Sequence, residues 1–350
     1  MNTKILKVDL NNIDMDSLKE AGQLISEGEL VAFPTETVYG LGGDALDAKA
    51  AEKIYKAKGR PSDNPLIVHI SKFEELEMIS KDLPIEARKL ADRFWPGPLT
   101  MIVNKNDKVP YETTGGMDTV AVRMPNHPIA LELIRQSGCL IAAPSANTSG
   151  RPSPTEAKHV VGDLDGKIAM VLDGGEVGIG IESTIVDLTE DEILVLRPGY
   201  ITPQMLSEVI GKEVKIDPGI IAQDDTTKPK APGMKYKHYA PKASLVLVEG
   251  EQDNVVSKIN ELVQEQHKQD KRVAVIATDE TRNKYKADVI LNIGSRNDED
   301  SIARHLYKIL RECDELEIDS IFSESFQTPR IGNAIMNRLL KAAGHQVIQA

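Results

Sequence analysis

Residues 141–153 read IAAPSANTSGRPS and form the most distinctive stretch of the chain. The apolar residues Leu140–Ala143 predict a strand, which runs into a loop of serine, asparagine, glycine and proline. Hydroxyls, amides and exposed backbone N–H groups in such a loop are suited to holding a phosphate group. A plain turn rich in serine and proline is the alternative. Because no histidine is near Ser145 in this stretch, a triad nucleophile is not predicted there.

Around this stretch, short apolar runs alternate with helical patterns through the first two thirds of the chain. Short strands mixed with helices favour an α/β fold in which some strands pair antiparallel. The predicted strands are Leu30–Phe33, Leu66–Ile70, Leu99–Val103, Thr119–Met124, Leu140–Ala143, Ala169–Leu172, Thr184–Leu188 and Ile193–Leu196. The predicted helices are Met15–Ser26, Ala48–Lys58, Ile85–Phe94, Pro128–Ser137, Thr155–Val161 and Pro203–Val209.

The pattern is interrupted at residues 211–242, which carry several prolines and a basic run from Lys228 to Lys237. Such a composition predicts a linker, and a passive tether is its simplest role. The alternation then restarts over residues 243–350 and predicts a small Rossmann-like domain with a parallel sheet. No GxGxxG motif is present in it, so a dinucleotide site is not predicted. The predicted catalytic domain is residues 1–210.

Composition narrows the classes of function. The 350 residues are 41% apolar and only 4% aromatic, and the formal net charge is -12. Nucleic-acid binders usually carry a basic excess and aromatic stacking platforms, so RNA binding is not predicted as the main activity. The two cysteines, Cys139 and Cys313, are far apart and indicate a reducing, cytoplasmic location. We predict no signal peptide and no membrane span.

A second motif, FPTETVYGL at residues 33–41, places polar residues directly after a predicted strand. Hydroxyl groups such as that of Thr35 at a strand end are well placed to bind a small ligand. The alternative is a capped turn in which Thr35 or Thr37 begins a helix.

The third motif, KAKGRPSDNP at residues 56–65, concentrates cations just beyond a predicted helix. Lys58 offers a point charge and Arg60 a bidentate fork, so the pair could bind a polyphosphate. The alternative is that these cations only stabilise the carboxyl end of the helix through its dipole.

Two titratable residues on predicted strands allow either a structural or a functional role. His69 follows an apolar strand, and a single histidine there is more often a buried structural residue than a catalyst. Arg123 lies among valines and is not expected to be buried unpaired. It could pair with a protein carboxylate or bind the carboxylate of a substrate.

These segments together resemble the YrdC-like threonylcarbamoyl-AMP synthases, in their longer two-domain form. The resemblance covers the whole first domain and the linker, whereas the C-terminal domain carries weaker motifs. It implies a twisted mixed sheet with a concave cavity that holds threonine and ATP side by side, followed by the Rossmann-like domain. The matching segments are FPTETVYGLG (33–42), KAKGRPSDNPLIVHI (56–70), WPGPLT (95–100), DTVAVRMP (118–125), IAAPSANTSGRPSPT (141–155), ESTIVDL (182–188), LRPG (196–199) and APGMKYKHYAP (231–241).

The resemblance also implies the reaction and the residues that serve it. The reaction would join L-threonine, bicarbonate or CO2, and ATP into an adenylate. A separate transferase complex that acts on tRNA would use that adenylate, and stable tRNA binding would not be required. Mg2+ would be bound on the ATP phosphates, with no metal ligand from protein side chains and no organic cofactor. Because a free carbamate decomposes in water, a lid that excludes solvent would help the reaction, and the linker around Lys235–Tyr239 is the candidate for it. Catalysis is assigned to Lys58 and Arg60; threonine binding to Thr35, His69, Arg123, Ala143 and Ser183; ATP binding to Lys58, Arg60, Ser62, Asn64, Thr119, Ser145, Asn147, Ser153, Arg197 and Tyr236.

Two other functions fit parts of the same sequence. A non-catalytic RNA-binding module could use a concave basic surface, but the charge of -12 argues against it. A carbamoyl-transfer domain of the hydrogenase-maturation type would use related chemistry, and it would require zinc-finger and acylphosphatase segments that the sequence lacks. The sequence leaves the oligomeric state and the role of the C-terminal domain undetermined.

Overall fold

The computed structural model describes residues 2–220, 239–326 and 330–350. Contacts between residues divide the chain into two compact units. The first unit contains the described residues up to Ser149, Ser153–Gly178 and residues 182–220. The second unit contains the described residues of 239–350, together with Gly150–Pro152 and Ile179–Ile181. Most of the predicted linker, with Tyr236 and the proposed lid, therefore lies outside the described residues.

The first unit alternates short strands and helices. Its strands are β1 (Lys4–Lys7), β2 (Val31–Phe33), β3 (Gly40–Asp44), β4 (Ile67–His69), β5 (Leu99–Asn104), β6 (Thr119–Arg123), β7 (Ile141–Ala142), β8 (Met170–Asp173), β9 (Thr184–Asp187), β10 (Leu194–Arg197) and β11 (Lys215–Ile216). Its helices are α1 (Met15–Ser26), α2 (Ala48–Lys58), α3 (Phe73–Ile79), α4 (Ile85–Phe94), α5 (Tyr111–Thr114), α6 (Pro128–Ser137), α7 (Ala157–Leu164) and α8 (Pro203–Ile210).

These strands form one 11-stranded mixed sheet in the order β1-β8-β2-β3-β7-β4-β6-β5-β9-β10-β11. β4 runs parallel to β6, whereas β5 and β6 are antiparallel. Apolar side chains on its two faces are buried in separate hydrophobic clusters. β11, which opens the predicted linker, pairs in parallel with β10 and so extends this sheet.

The pairing register brings several strand ends to one edge of the sheet. His69 at the end of β4 lies opposite Arg123 at the end of β6, and Arg123 lies opposite Thr100 on the antiparallel β5. β9 runs parallel to β5, with Thr184 opposite Leu99, so Ser183 lies at the same edge. Residues far apart in sequence therefore meet where these short strands end.

β3 was not predicted, because its sequence GLGGD is poor in strand-forming residues. Close packing explains the glycines. A Cβ atom at Gly42 would lie 2.8 Å from both Ile141 Cγ2 and Phe33 Cε1. The strand is therefore stabilised by its neighbours in the sheet and not by its own propensity.

The second unit has five parallel strands in the order β14-β13-β15-β12-β16. Together the two units confirm the predicted α/β class, with a mixed sheet followed by a small parallel sheet. The strands are β12 (Ser244–Glu249), β13 (Val273–Ala277), β14 (Val289–Asn292), β15 (Ser320–Glu324) and β16 (Val347–Gln349), and the helices are α9 (Gln252–His267), α10 (Glu299–Glu315) and α11 (Gly332–Ala342).

Candidate active site

The loop after β2 is held in place by its own hydroxyl groups. Thr35 is buried, and its Oγ1 donates to the carbonyl oxygen of Val38 at 2.7 Å. The same oxygen accepts from the backbone N–H groups of Thr37 and Val38. A threonine that bonds to nearby backbone groups in this way stabilises a turn. The loop leads into β3, so the prediction that Thr35 or Thr37 begins a helix is wrong, and binding of a small ligand by Thr35 stays a prediction.

Arg123 ends β6 and is buried, with protein partners at each part of its guanidinium group. Nη1 donates to Thr37 Oγ1 at 2.9 Å, and Nε donates to the carbonyl oxygen of Gly97 at 3.3 Å. Nη2 lies 2.6 Å from Oε2 of Glu36. Of the two alternatives considered for Arg123, the structure therefore contains the pair with a protein carboxylate. Binding of a substrate carboxylate stays a prediction.

His69 is fully buried on the neighbouring strand. Its Nδ1 lies 3.1 Å from the carbonyl oxygen of Ile67, and its ring meets the ring of Phe33 edge to face. Burial, reinforced by the positive charge of Arg123, lowers the pKa of His69 to about 3. The imidazole is therefore neutral at neutral pH.

This lowered pKa predicts a specific dependence of stability on pH. Between pH 6.5 and pH 3 the unfolded chain protonates His69 and the folded chain does not, so stability falls as pH falls through this interval. Replacing His69 with glutamine should make the decrease in unfolding free energy from pH 7.5 to pH 5.0 smaller by roughly 1–2 kcal/mol. Urea titrations of both proteins at the two pH values measure this difference, and parallel decreases would contradict it.

Ser183 and Arg197, assigned from the resemblance to different ligands, contact each other directly. Arg197 donates from Nε to the Ser183 carbonyl oxygen at 2.9 Å and from Nη2 to Ser183 Oγ at 3.0 Å. Ser183 Oγ also lies 2.7 Å from Thr100 Oγ1. Close approach of the chain after β10 needs Gly199, where a Cβ atom would lie 2.5 Å from the backbone nitrogen of Thr184.

Lys58, Ser145 and Asn147 form a second cluster. The last residue of α2, Lys58, is 2% exposed, and its Nζ donates to the backbone carbonyl oxygens of Ser145 and Asn147. Ser145 Oγ donates to Asn147 Oδ1 at 2.5 Å. The backbone N–H of Ser149 donates to the Lys58 carbonyl oxygen at 2.9 Å. The buried ammonium group thus fixes the loop that follows β7.

Arg60 binds the next part of its own loop. Its Nη2 donates to Asn64 Oδ1 at 2.6 Å and to the carbonyl oxygen of Pro65 at 3.0 Å. Gly59 ends α2 in the left-handed conformation that glycine favours at the C-terminus of a helix. Ser62 is exposed on this loop, and Thr119 begins β6 opposite Asn104, away from the edge that carries Arg123.

The remaining predicted residues are anchored in the same unit. Ser153 is fully buried and donates to Glu182 Oε1 at 2.6 Å. Ala143 continues β7, and its backbone N–H donates to the Ile67 carbonyl oxygen at 2.8 Å. The structure thus brings together Ser183 with Arg197, Lys58 with Ser145 and Asn147, and Arg60 with Asn64.

Four polar residues at these clusters were missed as site residues from the sequence. Glu36 and Thr37 hold Arg123, Thr100 contacts Ser183, and Glu182 accepts from Ser153. All four lie inside the quoted motifs, which is the signal that could have identified them. Each of them pairs with a residue at least 29 positions away in the sequence, so the pairing itself depends on the fold.

The clusters contain cations that could bind anionic groups. Arg123 and Arg197 lie at one edge of the sheet, with the neutral hydroxyls of Thr100 and Ser183 between their strands. Two buried guanidinium groups with hydroxyl neighbours are suited to a carboxylate and a phosphate. Lys58 adds a cation at the loop of Ser145, and Arg60 adds one on the loop that follows α2.

Comparison with known proteins shows the class of protein to which this chain belongs. Residues 23–199 match the Sua5/YciO/YrdC family, described as telomere recombination, and residues 201–344 match a domain described as the C-terminal domain of threonylcarbamoyl-AMP synthase. The chain therefore has the two-domain organisation of the Sua5/YciO/YrdC class.

Full-length relatives define the family more narrowly. A threonylcarbamoyl-AMP synthase of Pyrococcus abyssi is 51% identical over 95% of both chains, and one of Bacillus subtilis is 50% identical over 95% of this chain and 94% of its own. A crystal structure of P. abyssi Sua5 complexed with L-threonine is 48% identical, with a TM-score of 0.94 over 99% of this chain and 100% of that chain. This chain belongs to the threonylcarbamoyl-AMP synthase family and is, like its members, a nucleotidyltransferase of tRNA modification. Within the described residues, no helix is long and apolar enough to cross a membrane.

Proposed function

We propose that the chain converts L-threonine, bicarbonate or CO2, and ATP into L-threonylcarbamoyl-AMP and pyrophosphate. The observation that carries the proposal is the buried Arg123 at the sheet edge. Its neighbour on β5, Thr100, contacts Ser183, and Ser183 accepts from the second guanidinium group, that of Arg197. An amino acid and a nucleotide each carry an anionic group, and adjacent sites for both are what an adenylating enzyme requires.

Threonine would be bound by its carboxylate and its hydroxyl group. Arg123 supplies the charge for the carboxylate, and Thr35 and Ser183 supply hydroxyl groups whose positions are fixed by hydrogen bonds. The neutral ring of His69 and the methyl group of Ala143 would line the same pocket. Because the imidazole is neutral, the positive charge that would hold the carboxylate comes from Arg123.

The triphosphate would lie along the cationic loops. Lys58 holds the loop of Ser145 and Asn147 and Arg60 holds that of Asn64, so both cations also organise the backbone groups around the phosphates. The described residues contain no group of three or more His, Cys, Asp or Glu that could hold a metal ion. Mg2+ would be carried mainly by the nucleotide phosphates, where it would neutralise charge. The residues proposed for ATP are Lys58, Arg60, Ser62, Asn64, Thr119, Ser145, Asn147, Ser153, Arg197 and Tyr236.

The chemistry would need little from protein nucleophiles. The threonine amine adds to CO2 to give a carbamate, and a carbamate oxygen attacks the α-phosphorus of ATP while the bond to pyrophosphate breaks. Such a displacement is accelerated mainly by alignment and by stabilising charge on the phosphates. Buried arginines and a rigid phosphate loop supply both.

The product would be the first intermediate of N6-threonylcarbamoyladenosine in tRNAs that read codons beginning with A. A separate transferase complex would attach it to tRNA, since a chain of net charge -12 is poorly suited to stable tRNA binding. Cys139 and Cys313 are both free thiols, which supports the cytoplasm as the location of this step.

Pyrophosphate release tests the reaction through its substrate requirement. With ATP and Mg2+ present, release should require both L-threonine and bicarbonate, and omission of either one should reduce it to background. Release that is unchanged without bicarbonate would contradict carbamate formation, and release with L-serine equal to that with L-threonine would contradict the proposed substrate.

A further inference from the structure

Glu36 forms an ion pair with Arg123, the residue to which the proposed function assigns the substrate carboxylate. Arg123 Nη2 lies 2.6 Å from Glu36 Oε2, and side-chain exposures of 5% and 12% show that water screens the pair very little. The other nitrogens of the guanidinium group donate to Thr37 and Gly97. A ligand carboxylate that approaches Nη2 therefore meets the Glu36 carboxylate.

The Glu36 carboxylate is poorly satisfied apart from this ion pair. Both of its oxygens are buried, and neither accepts a hydrogen bond from any residue that the structure describes. The contact with Arg123 Nη2 is close but is not directed along an N–H bond, because that nitrogen also lacks a hydrogen-bonded partner among the described residues. Buried carboxylates in proteins are normally hydrogen-bonded, and an unsatisfied one is costly. Glu36 thus retains unused capacity to accept hydrogen bonds.

His127, which lies close enough to interact with Glu36, does not carry a positive charge that could neutralise it. His127 precedes α6, interacts electrostatically with Glu36, and its buried Nδ1 has no hydrogen-bond partner within the described part of the chain. Burial lowers the pKa of His127 to about 4, so it is neutral at neutral pH although Glu36 acts in the opposite direction. Arg123 is therefore the cation that neutralises Glu36 in the unliganded protein.

Charge balance then sets the kind of ligand that this site accepts. A carboxylate added alone would place two buried anions around one arginine, which is strongly unfavourable. An amino-acid zwitterion brings its own cation, so two ion pairs replace one. We propose that Glu36 leaves Arg123 when the substrate carboxylate binds and that it then receives the α-amino end of the same substrate.

This inference rests on the proposed function, and it assigns Glu36 as a positioning residue that selects for an α-amino group. Arg123 would recognise any small carboxylate of suitable shape. Glu36 would make binding conditional on the ammonium group, which excludes hydroxy acids before chemistry begins.

Calorimetric binding without ATP tests the assignment, with L-threonine and 2,3-dihydroxybutanoate, which has a hydroxyl group in place of the amine. The wild-type protein should bind L-threonine at least about 10-fold more tightly than the hydroxy acid, as for a lost charged partner. In Glu36→Gln, L-threonine should bind about 10-fold to 100-fold more weakly, while the hydroxy acid binds at least as tightly as before. The preference for the amine should therefore collapse.

The control is Glu20→Gln, which removes an exposed carboxylate paired with Lys4 on the surface and should leave both affinities unchanged. An unchanged preference in a folded Glu36→Gln protein would overturn the inference. Equal affinities of the wild-type protein for the two ligands would overturn it even if the variant failed to fold. Failure of the wild-type protein to bind L-threonine would instead contradict the proposed function itself.

Discussion

Replacement of Arg123 by alanine should lower kcat/KM for L-threonine by at least about 30-fold, which corresponds to about 2 kcal/mol of lost transition-state binding. Arg123 is the buried cation at the sheet edge, and the loop residues Glu36 and Thr37 take their positions from it. The variant therefore loses the carboxylate anchor and the fixed geometry of the loop that carries Thr35. Steady-state rates at varied L-threonine and saturating ATP measure the effect.

The same substitution should also destabilise the first unit, because it leaves the Glu36 carboxylate buried without its cation. Breaking a buried ion pair from one side costs about 3–5 kcal/mol. Rates should therefore be measured at a temperature where the variant is folded. Arg135→Ala is the control, because Arg135 lies on the next helix in an exposed pair with Glu132. If Arg123→Ala retained the wild-type kcat and KM for L-threonine, its assigned role would be wrong.

Replacement of Lys58 by methionine should affect both stability and ATP use. The Lys58 ammonium group donates hydrogen bonds to the backbone carbonyl oxygens of Ser145 and Asn147, and both carbonyl groups lose this donor in the variant. Hydrogen bonds from charged donors contribute about 1.5–3 kcal/mol each, so we expect a loss of at least about 2 kcal/mol in unfolding free energy. Because the loop then loses its fixed shape, kcat/KM for ATP should fall about 100-fold.

Lys56→Met is the matched control, since Lys56 lies two residues earlier on the same helix and is exposed. It should change the unfolding free energy and kcat/KM for ATP very little. Urea titrations and ATP-dependent rates of both variants separate the two effects. Wild-type stability and ATP use in Lys58→Met would show that the loop does not depend on this ammonium group.

Much of the fold could be predicted, because most strands carry clear apolar runs. β6 carries the apolar run Val120–Val122, and α1 begins at an Asp14 cap and buries one apolar face, so both follow from local pattern. The resemblance assigned site residues in several motifs, and these assignments stay predictions. The motifs that follow β2 and β7 include loops at strand ends, where residue types often reflect function more than packing.

Other features depend on contacts that no local pattern encodes. β3 is a glycine-rich strand that exists because its neighbours leave no room for side chains, and β7 has only two residues yet pairs with both β3 and β4. Lys58 meets Ser145 across 87 residues of sequence. The sequence allowed two partners for Arg123, and the choice of Glu36 became visible only with the fold. Partner choice depends on strand order, which composition and periodicity do not determine.

The most direct test of the reaction follows the carbon atom of bicarbonate. The protein is incubated with ATP, Mg2+, L-threonine and labelled bicarbonate, and the products are separated quickly by chromatography. If the proposed reaction occurs, we expect a labelled adenylate that forms only when L-threonine is present, in a one-to-one ratio with pyrophosphate. Intact ATP and unincorporated label, with folded and freshly prepared protein, would contradict it.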